Sequence, residues 1–150
     1  MYSFVGDFSC KIDAKGRFSL PSVFRKIAVK YSIDSFVIRK SIYASCLDIF
    51  PFQTWKEQTS FFRNKLNIYN QEQAKLMREF FRGTIEVSLD ANGRLLLPKR
   101  MLTLINAQQV IILAGQDFKI EIWDKPTYET GALPADELMK LTQKVLGSDE

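Results

Sequence analysis

The sequence predicts an α+β domain with an internal pseudo-two-fold axis. Two copies of one strand–turn–strand unit are joined by a helical insert, and a further helix follows near the C-terminus. Three observations predict this fold. A motif around the turn occurs twice, a second stretch of matching residues follows each motif, and apolar residues show helical spacing between and after the copies. Two copies are too few for a solenoid, but they suit a domain that closes on itself.

The turn motif occupies residues 6–21 and again residues 83–98, at a constant offset of 77 positions. The identical pairs are Gly6/Gly83, Asp13/Asp90, Ala14/Ala91, Gly16/Gly93, Arg17/Arg94, Leu20/Leu97 and Pro21/Pro98. Apolar residues alternate with polar ones on either side of each turn, which predicts short strands. Each proline stands where a helix can begin. Each copy is therefore expected to run strand, turn, strand, helix.

A second match lies further along each copy, at an offset of 73. It aligns residues 37–38 with 110–111 and residues 47–50 with 120–123. The difference of four residues between the two offsets is expected to fall in a loop, because loops tolerate deletions. Beyond the two strands that flank the first turn, the predicted strands are 36–38, 46–50, 85–89, 94–97, 110–113 and 118–123.

These matches divide one domain, residues 1–150, into four parts. The expected bounds are about 4–55 for repeat one, about 52–81 for the helical insert, about 81–128 for repeat two and about 134–146 for the C-terminal helix.

Helices are predicted in the insert and near the C-terminus from the spacing of apolar residues. The first insert helix carries a stripe of Phe52, Trp55, Thr59, Phe62 and Leu66. The second, over 71–81, aligns Ala74, Met77 and Phe81, and the C-terminal helix, over 135–146, aligns Leu138, Leu141 and Val145. Such stripes are more typical of a core or an interface than of a cofactor site, so no cofactor is expected. No metal is expected either, because the chain lacks histidine, the commonest transition-metal ligand.

Bulk composition is that of a globular protein, with 46% hydrophobic and 25% charged residues. Neither a signal peptide nor a membrane span is expected, so the predicted compartment is the cytoplasm. Cys10 and Cys46 are read as isolated thiols in buried strands of a reducing compartment.

Charge is distributed unevenly along the chain. Residues 11–40 hold eight bases and two acids, whereas residues 117–150 hold four bases and eight acids. This favours an anion-binding face with an acidic, solvated rear. Uneven surface charge that serves only solubility is the alternative.

The residues of the turn motif suggest a turn whose fixed backbone sets the direction of an arginine side chain. In the first copy, the Asp13 carboxylate can accept a backbone hydrogen bond, and Gly16 can take a positive φ. Arg17 then leaves the turn at a defined angle on the next strand. The same roles in the second copy fall to Asp90, Gly93 and Arg94. The alternative is a plain hairpin with each arginine paired to its aspartate, but a hairpin needs the glycine and does not need the arginine.

The planar fork of arginine matches both phosphate and the O6 and N7 acceptors of guanine in the major groove, which indicates double-stranded DNA as the partner. Lys15, beside the first turn, would reach a phosphate as a point charge. Its counterpart Asn92 is neutral and can contact a base edge or a backbone oxygen. Lys11 and Arg25 are further candidate phosphate contacts.

The two turn motifs, together with Pro21, Arg25, Pro98 and the Ile-Glu-Ile-Trp-Asp segment at 120–124, resemble the MraZ family over nearly the whole chain. This resemblance implies a swapped-hairpin, AbrB-like β-barrel built from both halves of one chain. It also implies a nucleoid-associated bacterial transcription factor that acts on the promoter of the division and cell-wall gene cluster.

Further properties follow from the same resemblance. Family members form rings of many subunits and bind short, G-rich direct repeats. The DNA-contacting role carries over onto Arg17, Arg94 and the basic position Lys15. One departure from the repeat is visible, because Leu102 stands at the position equivalent to Arg25, with Arg100 displaced by two residues.

Three rival functions are considered. The chain has no histidine, no Cys–His pair and no phosphate-binding glycine loop, which disfavours an enzyme, although Asp13 and Asp90 could converge across the pseudo-two-fold axis. A non-enzymatic, ring-forming protein-interaction module could use the basic face for an acidic protein. An AbrB-like antitoxin usually carries one hairpin per chain, whereas this chain carries both copies.

Overall fold

A computed structural model of the chain describes residues 1–147 and holds eight strands and six helices in that range. The strands are β1 (Asp7–Lys11), β2 (Arg17–Ser19), β3 (Ser35–Lys40), β4 (Leu47–Pro51), β5 (Ile85–Ser88), β6 (Arg94–Leu96), β7 (Val110–Gln116) and β8 (Lys119–Asp124). The helices are α1 (Ser22–Lys30), α2 (Phe52–Asn64), α3 (Gln71–Phe81), α4 (Lys99–Leu104), α5 (Lys125–Thr130) and α6 (Ala135–Leu146). The predicted α+β class is confirmed.

Strands from the two copies pair with each other. Six of them form an antiparallel sheet in the order β1-β7-β8-β4-β3-β5, while β2 and β6 form a separate two-stranded ribbon. β1 of the first copy pairs with β7 of the second, and β5 of the second pairs with β3 of the first. The ribbon also takes one strand from each copy, with Phe18 opposite Leu95. The two halves of the chain therefore complete each other.

The main core lies under the ribbon and is symmetric between the copies. Phe18 and Leu95 point inward from the ribbon and are almost fully buried. Equivalent positions on the two helices that follow the ribbon strands, Phe24 on α1 and Met101 on α4, pack into the same cluster. Because alternate strand residues point to opposite faces, the neighbouring ribbon positions lie outward. One shared core thus holds both turns in place.

The other face of the six-stranded sheet is covered by the insert. Val37 and Phe50 on the sheet pack against Trp55 of α2 in a second, smaller cluster. Phe80 of α3 stacks on Trp55 at 5.8 Å and on Phe62 at 3.9 Å between ring centroids. Phe50, matched in the repeat with Trp123, therefore belongs to this cluster rather than to the main core.

Three details of the helices differ from the predictions. Leu66 lies two residues beyond the end of α2 at Asn64, so the last member of the predicted stripe falls outside the helix. Phe80, which was not predicted, stacks on Trp55 and Phe62, whereas the predicted Phe81 is 37% exposed and meets Trp55 edge-on at 5.7 Å between ring centroids. Helix α5 was not predicted, because a six-residue segment is too short to show a helical period, and its only local signal is the proline near its start.

The predicted division into a basic face and a solvated acidic rear is wrong in part. Arg39, counted with the basic region, is 6% exposed, and its guanidinium lies 4.1 Å from the ring centroid of Phe80. Glu121 and Asp124, counted with the acidic rear, are also buried. Arg39 lies opposite Asp48 and Glu121 pairs with Lys119, while Asp124 accepts a hydrogen bond from the Thr127 hydroxyl at 3.0 Å. The acidic residues Asp149 and Glu150 lie outside the described part of the chain.

The orientation of the ribbon predicts opposite effects for two adjacent leucines. Leu95→Ala should lower the free energy of unfolding by about 2–5 kcal/mol, because it empties a fully buried site in the shared core. Leu96→Ala is the matched control and should change it by less than about 0.5 kcal/mol, since Leu96 is half exposed. Urea denaturation measures both. Equal losses would contradict the described inward and outward faces.

Candidate nucleic-acid interface

The first turn is built on one carboxylate. Oδ1 of Asp13 accepts hydrogen bonds from the backbone N–H of Lys15 and of Arg17, each at 2.9 Å. Oδ2 accepts the Nε–H of Arg17 at 2.8 Å. The backbone N–H of Gly16 donates to the Asp13 carbonyl at 3.0 Å, and Gly16 has φ +88°. Three donors on one side chain explain why an aspartate begins the turn.

The second turn repeats this geometry. Oδ1 of Asp90 accepts from the backbone N–H of Asn92 at 2.9 Å and of Arg94 at 2.8 Å, and Oδ2 accepts the Arg94 Nε–H at 3.0 Å. Gly93 has φ +73° and donates its N–H to the Asp90 carbonyl. The two turns are thus the same device in structure as well as in sequence.

The alternative of an Arg–Asp pair describes part of this geometry, since each arginine does bond its neighbouring aspartate through Nε. Both arginine side chains stay about one-third exposed, at 33% for Arg17 and 30% for Arg94. Among the described residues, only that aspartate bonds each guanidinium. The aspartate therefore fixes the direction of the side chain, and the Nη edge of the fork remains for another partner.

The ribbon brings the two turns side by side. The N–H of Leu20 donates to the Gly93 carbonyl at 3.0 Å, and the N–H of Leu97 donates to the Gly16 carbonyl at 2.8 Å. A Cβ on Gly16 would lie 2.4 Å from the Leu97 carbonyl oxygen, so the approach requires glycine. Each turn is therefore anchored on the strand of the other copy.

Arg17 and Arg94 share one surface of this ribbon. Arg17 lies opposite Leu96, and Arg94 lies opposite Ser19, so all four side chains fall on the same side. We call these four residues the outer ribbon face. The arginines form a diagonal cross-strand pair, for which Cα atoms are typically about 7–8 Å apart.

The bases around the two turns are not symmetric. Lys15 is exposed beside the first turn, where its counterpart in the second copy is the neutral Asn92. Lys99, at the start of α4, also lines the surface of the first turn, together with Leu102. Sequence reasoning missed Lys99, because it becomes a neighbour of the first turn only through cross-copy pairing. The first turn thus has two lysines beside it, whereas the second turn has the neutral Asn92 and the half-buried Arg25.

Arg25 has a structural place in the second turn. It lies over Gly93, where an added Cβ would come within 2.6 Å of its Nε, and it donates from Nη2 to the Leu20 carbonyl at 3.1 Å. The displaced Arg100 does not substitute for it, since Arg100 donates to the Gly83 carbonyl at 3.1 Å. Lys11 is exposed at the end of β1, one residue before Ile12 and the first turn.

The two aspartates do not form a carboxylate active site. Hydrogen bonds from the backbone and side chain of the following arginine hold the pKa of each carboxyl below its ordinary value. A carboxylate that already accepts three hydrogen bonds is a poor general base, because protonation would break them. The turn carboxylates are structural groups that aim the arginines.

A separate group of charged residues lies buried beside α2, on the sheet. Asp48, Glu121 and Cys46 place ligand-type atoms within 4.8 Å of one another. Lys119 neutralises this group, with Nζ 2.9 Å from Asp48 and 3.5 Å from Glu121, and Arg39 lies opposite Asp48 in the strand register. Burial and the nearby carboxylates raise the pKa of the Cys46 thiol to about 12, so it stays protonated and is a weak metal ligand.

The fold and the site together define a class of protein. It is a two-copy α+β protein in which one arginine turn from each copy meets on a shared, partly exposed ribbon. Within residues 1–147, no helix is both long and apolar enough to cross a membrane.

Comparison with known proteins assigns the family. The family model described as "MraZ protein, putative antitoxin-like" matches twice, over residues 3–79 and 80–143. A transcriptional regulator MraZ of Phocaeicola vulgatus is 36% identical over 146 residues, 97% of this chain and 95% of the relative. One of Christiangramia forsetii is 33% identical over 151 residues, 100% of this chain and 97% of the relative. The chain belongs to the MraZ family.

A third relative has a similar identity. The transcriptional regulator MraZ of Clostridium tetani is 31% identical over 126 residues, 84% of each chain. The relatives are named as regulators of transcription and not as enzymes, so the prediction that the chain is not an enzyme is confirmed.

The lowered carboxyl pKa values predict a dependence of stability on pH. An unfolded aspartate has a pKa of about 3.9, and a lower folded value contributes stability that is complete above that pH and lost as pH falls through the folded pKa. Wild type should therefore lose stability more steeply below about pH 4 than the double variant Asp13→Asn/Asp90→Asn, which keeps the Oδ1 acceptors.

Urea denaturation from pH 6 down to pH 2.5 measures this difference, at intervals of about half a unit. Asp34→Asn, at an exposed position just before β3, is the control and should follow wild type. Parallel curves for wild type and the double variant would show that the turn carboxylates gain nothing from their hydrogen bonds.

Proposed function

We propose that this protein is a DNA-binding transcriptional regulator that places the outer ribbon face in the major groove. The observation that carries the proposal is the presence of Arg17 and Arg94 on one exposed face of a two-stranded ribbon. The major groove is about 12 Å wide and admits a two-stranded ribbon. The naming of the relatives as transcriptional regulators supports the same function.

The fixed direction of each arginine supports direct base recognition. The hydrogen bond from Nε to the aspartate orients the plane of the guanidinium before DNA arrives, which reduces the entropy lost on binding. The outward Nη edge can then donate to O6 and N7 of guanine. Two such forks, a short distance apart, suit a short G-rich sequence.

Charge near the turns would supply affinity without specificity. Lys15 and Lys99 at the first turn, with Lys11 at the end of β1, are placed to neutralise phosphates. The second turn has Asn92 in place of Lys15 and depends more on base contacts. We expect the first turn to dominate the salt dependence of binding.

Single turns make few contacts, so several must act together. We propose a homo-oligomeric ring that binds short G-rich direct repeats in the promoter of the division and cell-wall gene cluster, as the family resemblance implies. Linking several turns converts later contacts into intramolecular ones and raises apparent affinity by about 10²–10⁴. In this proposal the two copies form the swapped-hairpin, AbrB-like barrel, and the protein acts at the nucleoid in the cytoplasm.

Replacing either turn arginine should weaken specific binding selectively. Arg17→Ala and Arg94→Ala should each weaken binding to a duplex with G-rich direct repeats by about 1–3 kcal/mol, because a bidentate base contact is lost. Arg17→Lys keeps the charge but loses the fork, so it should lose sequence preference and retain salt-dependent binding. Fluorescence anisotropy at two salt concentrations, against repeat and scrambled duplexes, measures both effects.

Arg63→Ala is the matched control, since it removes one exposed arginine from α2 and should leave the preference for the repeats unchanged. Circular dichroism establishes that each variant is folded. Loss of folding in the turn variants would assign the arginines to structure alone. Binding of wild type that ignores sequence would instead favour the ring-forming protein-interaction module, with an acidic protein as its partner.

A further inference from the structure

Helix α6 has an apolar face that nothing in the described chain covers. None of its residues is buried. Leu138, Leu141 and Val145 are 54%, 47% and 62% exposed, although their spacing puts them on one face. A contiguous exposed apolar surface marks an interaction site. This face therefore needs a partner outside its own chain.

A complementary surface lies on the insert side of the sheet. Two adjoining cavities, of about 270 and 450 Å³, share Arg39, Ser41 and Ile42 in their walls, so they form one groove. The smaller cavity is lined by the aromatic rings of Phe50, Trp55, Phe62, Phe80 and Phe118. Its rim is apolar and exposed, with Ile42 at 57% exposure. We call this continuous surface the insert groove.

The larger cavity forms a basic end to the insert groove. Four bases and one acid line it, and that acid, Glu79, is already paired with Arg82 at 2.7 Å. Arg100 at this end donates one hydrogen bond to the Gly83 carbonyl, which does not neutralise its charge. Arg39 faces Asp48 across the strand pair, so Lys40 and Arg100 supply the positive charge that favours an acidic segment at this end.

Helix α6 carries its acids where such a segment would need them. Asp136 and Glu137 stand in its first turn, and Lys140 and Lys144 follow one and two turns later on the same side of the helix as these acids. The acids and the bases are therefore separated along the helix axis, with the acids at its start. The acidic first turn of α6 matches the basic end of the insert groove, and its apolar stripe matches the aromatic end. The order of charge and apolar surface is therefore the same along the helix and along the insert groove.

We infer that α6 of one copy of this chain docks in the insert groove of a second copy. The acidic first turn would meet the basic end, and the Leu138–Leu141–Val145 stripe would cover the aromatic end. Every chain carries both surfaces, and they are different surfaces, so the contact is head-to-tail and generates a ring when the rotation closes. The inference rests on the proposed oligomer and names the contact that builds it.

Two variants separate the two sides of this contact. Leu141→Asp places a charge in the apolar face of α6, and Ile42→Asp places one on the rim of the insert groove. Both positions are exposed in the single chain, so the fold should survive, which circular dichroism checks. Gln143→Asp, on the polar face of α6, is the matched control. Size-exclusion chromatography with light scattering, without DNA, reads the oligomeric state.

We expect wild type and Gln143→Asp to be oligomers of the same mass and each single variant to be monomeric. An equimolar mixture of Leu141→Asp and Ile42→Asp should give heterodimers and nothing larger, because one intact helix and one intact groove remain for each pair. A contact between two α6 helices predicts a different pattern. Ile42→Asp would keep an intact α6 and remain oligomeric, and mixing would not recruit Leu141→Asp, because its α6 is defective.

Three results would overturn the inference. They are a monomeric wild type, single variants that keep the wild-type mass, and a mixture that stays monomeric. DNA binding is read separately, on the turn variants, so these results leave the role of Arg17 and Arg94 standing. Conversely, an oligomer that assembles through α6 but ignores DNA sequence would remove the regulator proposal and retain this contact.

Discussion

The carboxylate of the turn aspartate is the interaction on which the site depends. By accepting two backbone N–H groups and one Nε–H, Asp13 fixes the path of the turn and the direction of Arg17 at the same time. The turn in this shape also presents the Gly16 carbonyl to Leu97 of the other copy. One side chain therefore connects the local turn, the pairing of the copies and the placement of the candidate binding group.

Pairing across the copies explains why the repeat is useful. A single two-stranded hairpin is marginally stable in water, whereas here each turn strand is completed by the other copy over a shared core. Within this symmetric frame, the surfaces have diverged. Lys15 and Lys99 make the first turn basic, while Arg25 is committed to covering Gly93 in the second. The two turns can thus keep one geometry and make unequal contributions to binding.

Much of the local structure could be predicted from the sequence, because its causes are local. The strands follow from alternation, the insert helices from apolar spacing, and the turns from aspartate and glycine at fixed positions. The partner of each strand could not be derived from those patterns, since pairing depends on contacts between residues far apart in the chain. For the same reason Lys99 was missed, although it lies beside the first turn.

Buried charge was the other feature that composition did not reveal. Arg39, Lys119 and Glu121 were counted as surface charges along the chain, yet together with Asp48 they neutralise one another beneath the insert. Burial of a charge becomes tolerable only with a partner, and the partners here come from three different strands. Segment charge balances therefore misplaced Glu121 and Asp124, which are buried and not part of a solvated rear.

The most direct test of the account is a thermodynamic cycle between Arg17 and the guanine it is proposed to contact. Each guanine of a direct-repeat duplex is replaced in turn by 7-deazaguanine, which lacks the N7 acceptor, and binding is measured for wild type and Arg17→Ala. We predict one position at which the replacement weakens wild type by about 1–3 kcal/mol and has little further effect on the variant. Equal losses for both proteins at every guanine would contradict contact between this arginine and a base.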